Sequence, residues 1–172
     1  KNPYISADIK EKLGCTVIGI DIDPNELKSA PHGVYDKIIV SDITEYKGSQ
    51  DGDLVISLAL LEHVKDTEAA LKGMHSCLKS GGHVAIFVPS KKAIYARINR
   101  LLPEGLKKLI LFSLFPHSRR LQGFPAYYDR CTPLEIKQIA LQVGYDIVDE
   151  RYYYISSYFS FFSFLFFLTS CI

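Results

Sequence analysis

Three short apolar runs in this chain each close on a polar residue: TVIGI on Asp21, KIIVS on Asp42 and DLVI on Ser57. A carboxylate at the end of a buried strand can accept both hydroxyls of a ribose, because its two oxygens match the spacing of a vicinal diol. Asp21 is the first candidate for that work. Asp42 with Ile43 can take an adenine, the carboxylate accepting from the amino group while the side chain of Ile43 packs on the ring face. Aspartates also end strands because they suit turns, so one of them alone says little. Three polar strand ends in succession say more. The cysteines Cys15, Cys77, Cys131 and Cys171 are far apart and form no CxxC pair, which argues against a zinc site and against a disulfide framework. A reducing, cytoplasmic compartment fits that usage.

Such residues act together only if the chain brings its strand ends to one edge. The segment Ile9 to Leu13 reads as the end of a helix stopped by Gly14, and the β-branched run TVIGID after it reads as a buried strand. DPNELKSA has the length of one or two helical turns, after which KIIVSD repeats the strand pattern. DLVISL follows the polar cluster GSQDGD as a third strand. Leu61, Val64, Leu71, Met74 and Leu78 then return at helical spacing, with Asp66 as the expected cap and Gly81 and Gly82 as the stop. HVAIFVP is the fourth strand, ended by Pro89 because proline cannot donate to a central ladder. Near the C-terminus, Thr132, Pro133 and Glu135 form a capping box with proline in the first helical position, and Gly144 ends that helix. YDIVDE and YYYISSYF read as two strands joined by a tight turn, hence antiparallel. The expected fold is α/β: a Rossmann-like open, mostly parallel sheet with helices on both faces and a C-terminal antiparallel strand. Ligands of such sheets lie beyond the carboxyl ends of the strands.

The chain has 172 residues, 48% of them hydrophobic and 23% charged, enough for a single domain over 1–172 with a real core. A formal net charge of +1 offers no broad attraction to nucleic acid. The charge is uneven, however. Over 90–129, Lys91, Lys92, Arg97, Arg100, Lys107, Lys108, Arg119 and Arg120 alternate with apolar residues, which reads as a basic amphipathic lid that can lie in a membrane interface or cap an apolar acceptor. No charged residue follows Arg151, and 160–172 is an apolar, aromatic tail. Its phenylalanines suit an interface better than a spanning helix, so peripheral membrane contact is expected.

With these residues in order, VIGIDIDP, SDIT and DGDLVISLALLEHVKDTEAALKGMHSCLKSGGHVAIFVPS resemble the class I S-adenosylmethionine methyltransferases, particularly the subfamily that includes ubiquinone-pathway methylases. The likeness is strongest from Ile9 to Pro89, and TPLEIKQIALQVGYDIV is similar to the family's C-terminal part. The resemblance implies S-adenosylmethionine as cofactor, its ribose on Asp21 and its adenine between Asp42, Ile22 and Ile43. Ser57, Leu58 and Ala59 would line the methionine end. The family's first strand and glycine-rich turn are expected before about Ile5, and KNPYISADIK does not supply them. The chain opens on Lys1 with no leader pattern, so it is expected to be an N-terminally truncated piece of the parent enzyme.

Methyl transfer from a sulfonium needs an aligned acceptor and, for a hydroxyl, a base to take its proton. His63, next to Glu62 and just past the fourth family strand, is the best-placed titratable group. Some relatives carry an ExxEH metal pattern there; the first position is Ala59 here, so no metal is expected. Tyr127 and Tyr128 would line the acceptor pocket or belong to the core. The expected activity is methyl transfer by a monomer to a small or lipid-like acceptor, as O- or C-methylation, with no nucleic acid involved. A nicotinamide-dependent Rossmann oxidoreductase would also use Asp21. A non-catalytic, membrane-associated module would keep the sheet without the chemistry.

Overall fold

Ser6 begins the first helix by accepting the Ile9 amide on its hydroxyl at 3.3 Å, and Gly14 ends it in the left-handed region at φ 60°. Both residues satisfy backbone groups that a helix end leaves open. In the computed structural model, which describes residues 5–93, 96–97, 101, 103, 105 and 125–153, this helix is α1 (Ala7–Leu13). It is followed by β1 (Ile18–Asp21), α2 (Pro24–Lys28), β2 (Lys37–Val40) and β3 (Gly52–Leu58). A single 3-10 turn (Leu61–His63) leads to α3 (Thr67–Cys77), β4 (Leu78–Phe87) and α4 (Pro133–Val143).

β1 and β2 are parallel, with Ile18 beside Lys37 and Asp21 beside Val40. Between them runs the short helix α2, capped by Asp23, whose carboxylate accepts the Asn25 amide at 2.8 Å. A Cβ at Gly19 would come within 3.0 Å of Leu27 and Tyr35, so the missing side chain lets this crossover lie directly on the strand. β3 and β4 pair with each other, and the Ala59 amide just past β3 donates to the Phe87 carbonyl at the end of β4, at 2.9 Å.

The chain divides into two compact units, one of Lys1–Val55 with Glu68–Val84 and the other of Ile56–Thr67 with Ala85–Ile172. The first has its core in Leu27, Val34, Ala70, Leu71, Met74 and Leu78, all buried. In the second, Leu61, Val64, Tyr128, Cys131, Ile139 and Ala140 are buried. Each fully buried Leu contributes roughly 1.5–3 kcal/mol relative to exposure. α4 begins on Thr132, whose hydroxyl accepts the Glu135 amide at 3.3 Å and donates back to the Glu135 carboxylate, and it ends on Gly144 at φ 110°. The capping box and the glycine stop are therefore as the sequence implies.

Three expectations need correction. The helix after Asp66 does not run to Gly81 and Gly82: it ends at Cys77, and both glycines lie inside β4. Close packing accounts for this, since a Cβ on Gly48 would sit 2.6 Å from the Cys77 Cα and one on Gly82 would sit 2.9 Å from the Gly52 carbonyl oxygen. Among the described residues the strands form two sheets of two, β1 with β2 and β3 with β4, an α/β arrangement consistent with the expected Rossmann-like fold. Burial on both strand faces is incomplete among the described residues, with Ile18, Ile38, Val40 and Leu54 exposed by 45%, 48%, 55% and 53%. Residues 145–153 form no strand; a strand needs a bonded neighbour, and most of the expected partner, YYYISSYF, lies outside the described residues. So do most of the basic segment 90–129 and the tail 160–172.

Candidate active site

Asp21 is the last residue of β1, and its carbonyl accepts the amide of Ser41, just past the neighbouring strand β2, at 3.0 Å. Its Oδ1 accepts the Asp23 amide at 2.9 Å, turning the chain into α2. Asp42 follows β2 in the same manner. Its Oδ1 takes the Thr44 amide at 2.9 Å and the Thr44 hydroxyl at 2.8 Å. Each carboxylate thus commits one oxygen to its own turn, the structural use of a strand-end aspartate. The other oxygen of each has no hydrogen-bond partner among the described residues. Parallel pairing brings both acids to the carboxyl edge of one sheet. Ile22 is 57% exposed beside Asp21. Ile43 is half-buried, and α3 crosses its backbone so closely that a Cβ at Gly73 would overlap the Ile43 carbonyl oxygen.

In the second unit, Ser57 is 5% exposed and its Oγ has no hydrogen-bond partner among the described residues. A buried hydroxyl without a partner costs roughly 1–3 kcal/mol. Leu58 ends β3, and Ala59 turns out of it at φ 50°, a left-handed conformation that costs a non-glycine residue about 1 kcal/mol or more. The chain then makes its 3-10 turn, in which the His63 amide donates to the Leu60 carbonyl at 2.8 Å.

Around that turn, the segment after the undescribed stretch comes back. The Tyr127 and Tyr128 amides both donate to the Glu62 carbonyl, at 2.7 and 3.1 Å. His63 Nδ1 lies 3.0 Å from the Pro125 carbonyl, and Nε2 lies 3.8 Å from Oε1 of Glu62, which is 7% exposed in its side chain. Tyr128 is buried and belongs to the core. Tyr127 is 44% exposed, with Lys65 Nζ 5.6 Å from its ring centre, within cation–π range. Further along, Asp129 accepts the Thr67 amide on Oδ2 at 2.9 Å, and its carbonyl takes the Thr67 hydroxyl. The buried Cys131 thiol donates to the Leu61 and Asp129 carbonyls.

Asp21, Ile22, Asp42 and Ile43 are therefore together in one unit, while Ser57, Leu58, Ala59 and His63 are together in the other. Residues 4–86 match the family model of a methyltransferase domain. No curated protein matches the chain. The matched methyltransferase domain contains all eight candidates and supports methyl transfer as the class of reaction. Pro125, Tyr127 and Asp129 lie beyond it. The sequence reading did not single out Pro125 or Asp129, and FPAYYDRC carries no local signal for them: their partners are 62 residues away. Among the described residues, no group of three or more His, Cys, Asp or Glu side chains could hold a metal ion.

Proposed function

We propose that the protein is an S-adenosylmethionine-dependent methyltransferase acting on a small or lipid-like acceptor by O- or C-methylation, of the kind found in ubiquinone-pathway methylases. The observation that carries the reading is the pair of strand-end aspartates inside the matched methyltransferase domain, each with one oxygen still without a partner among the described residues. The acceptor set fits a nucleoside. Asp21 can accept from a ribose diol and Asp42 from an exocyclic amine, with Ile22 and Ile43 offering apolar surface to a purine. The buried Ser57 hydroxyl, together with Leu58 and Ala59, suits the polar amino-acid end of the cofactor. S-adenosylmethionine supplies a methyl group already activated on sulfur. The work left to the chain is to align the acceptor and, for a hydroxyl, to receive its proton on His63. Peripheral contact with a membrane belongs to the same proposal, because 90–129 is basic and interleaved with apolar residues and the chain after Arg151 is uncharged and aromatic.

Calorimetric titration of the full-length protein with S-adenosylhomocysteine tests the assignment. Asp21→Ala should weaken binding by about 1–3 kcal/mol, the loss of charge-assisted hydrogen bonds to the ribose. Unchanged affinity in that variant removes Asp21 from the site. Binding of a nicotinamide dinucleotide in place of S-adenosylhomocysteine would make the protein an oxidoreductase.

A further inference from the structure

A carbonyl oxygen can only accept a hydrogen bond, so the 3.0 Å contact between the Pro125 carbonyl and His63 Nδ1 requires the proton of the neutral ring to be on Nδ1. The lone pair is then on Nε2, the nitrogen that must take a proton if His63 is a base. What holds Pro125 there is the rest of its segment. The Tyr127 and Tyr128 amides are tied to Glu62, and at the far end Asp129 receives both the amide and the hydroxyl of Thr67. The segment is also strained. Tyr128 and Arg130 have φ of 52° and 45°, left-handed values that are costly for residues other than glycine and persist only where surrounding bonds over-determine them. The Thr67 amide is one of the donors that a helix start leaves open, and its bond to Asp129 satisfies it.

We infer that Asp129 is a positioning residue: by clamping the Pro125–Asp129 segment to Thr67 at the start of α3, it holds the Pro125 carbonyl on Nδ1 and so keeps His63 in the tautomer whose Nε2 can accept the acceptor's proton. The inference rests on the reading of His63 as the base. It moves no atom beyond the proton that passes from the acceptor hydroxyl to Nε2. On the other side of the ring, Glu62 Oε1 lies 3.8 Å from Nε2, beyond hydrogen-bond distance.

Nitrogen-15 NMR of the full-length protein reads the tautomer directly and needs no acceptor. The His63 signals are assigned by their loss in His63→Ala, and spectra are taken where the ring is neutral. In the wild type the Nδ1–H form should account for nearly all of the signal. Asp129→Ala should return His63 to the tautomer mixture of a free imidazole, while Asp129→Asn, whose side-chain oxygen can still accept the Thr67 amide, should restore most of the Nδ1–H form. A wild-type protein in the Nε2–H form overturns the inference without any substitution, and so does a folded Asp129→Ala variant with an unchanged tautomer. Failure of the base assignment would be seen elsewhere, as normal methyl transfer by His63→Ala while the wild type still shows the Nδ1–H form.

Discussion

Cys131 has no accessible surface, and burial, followed by the nearby Glu62 carboxylate, pushes its thiol up to about 11. Both causes disfavour the thiolate, and the thiolate is the reactive form. The folded value is raised above the ordinary 9.0. The linked stability is therefore fully present below 9.0 and is lost as pH rises from there toward about 11. In the native protein near neutral pH, iodoacetamide should leave Cys131 unmodified, and labelling should appear only in denaturant; peptide mass spectrometry follows each cysteine separately. Native labelling of Cys131 at the denatured rate would mean that the 125–131 segment does not dock on Leu61 and Thr67. The same residue-level chemistry distinguishes what was readable beforehand. Asp21 and Asp42 could be picked out because each follows its own strand within a few residues. Asp129 could not, because its only distinction is a partner far away in sequence.

At the level of elements, the features legible in the sequence are those in which a side chain answers a backbone group a few residues away. Gly14, Thr132, Glu135 and Gly144 bound their helices as expected, since caps are local chemistry. The end of α3 was not legible. Leu78 continues the apolar period, yet Leu78 starts β4, and what decides between the two is the crowding of Cys77 against Gly48 and Gly52. Periodicity cannot register a contact between distant backbones. The same crowding occurs at Gly73, where α3 touches the backbone that carries Ile43 and, next to it, Asp42. Gly73→Ala should therefore cost about 1–3 kcal/mol through overpacking, although alanine is ordinarily the better helix former by about 1 kcal/mol. Denaturant unfolding measures this, and calorimetry should show weaker S-adenosylhomocysteine binding in the folded fraction because the Asp42 turn must shift. A variant as stable as the wild type would show that α3 does not approach Ile43 so closely.

For the whole molecule, two features of the sequence bear on where an acceptor comes from. The 90–129 segment is strongly basic and interleaved with apolar residues, and the chain after Arg151 is uncharged and rich in phenylalanine. Among the described residues no helix is long and apolar enough to cross a membrane. FFSFLFFLTSCI is itself shorter than the roughly 20 residues a spanning helix needs, and aromatic side chains favour the interface over the bilayer centre. A basic stretch near an anionic surface gains about 1 kcal/mol per Lys or Arg, and the attraction fades with distance on the scale of the Debye length. Aromatic insertion and charge attraction would then act together, since one weak signal alone gives only marginal attachment. The full-length protein should accordingly sediment with liposomes, more strongly as the anionic lipid fraction rises and less strongly as salt is added. Lys107→Glu with Lys108→Glu should reduce the bound fraction at low salt while leaving S-adenosylhomocysteine affinity unchanged, because neither lysine is among the residues assigned to the cofactor. Protein that stays in the supernatant with anionic vesicles at low salt would point to a soluble acceptor. Protein that carbonate cannot release from cell membranes would mean that the aromatic end inserts more deeply than an interface contact allows.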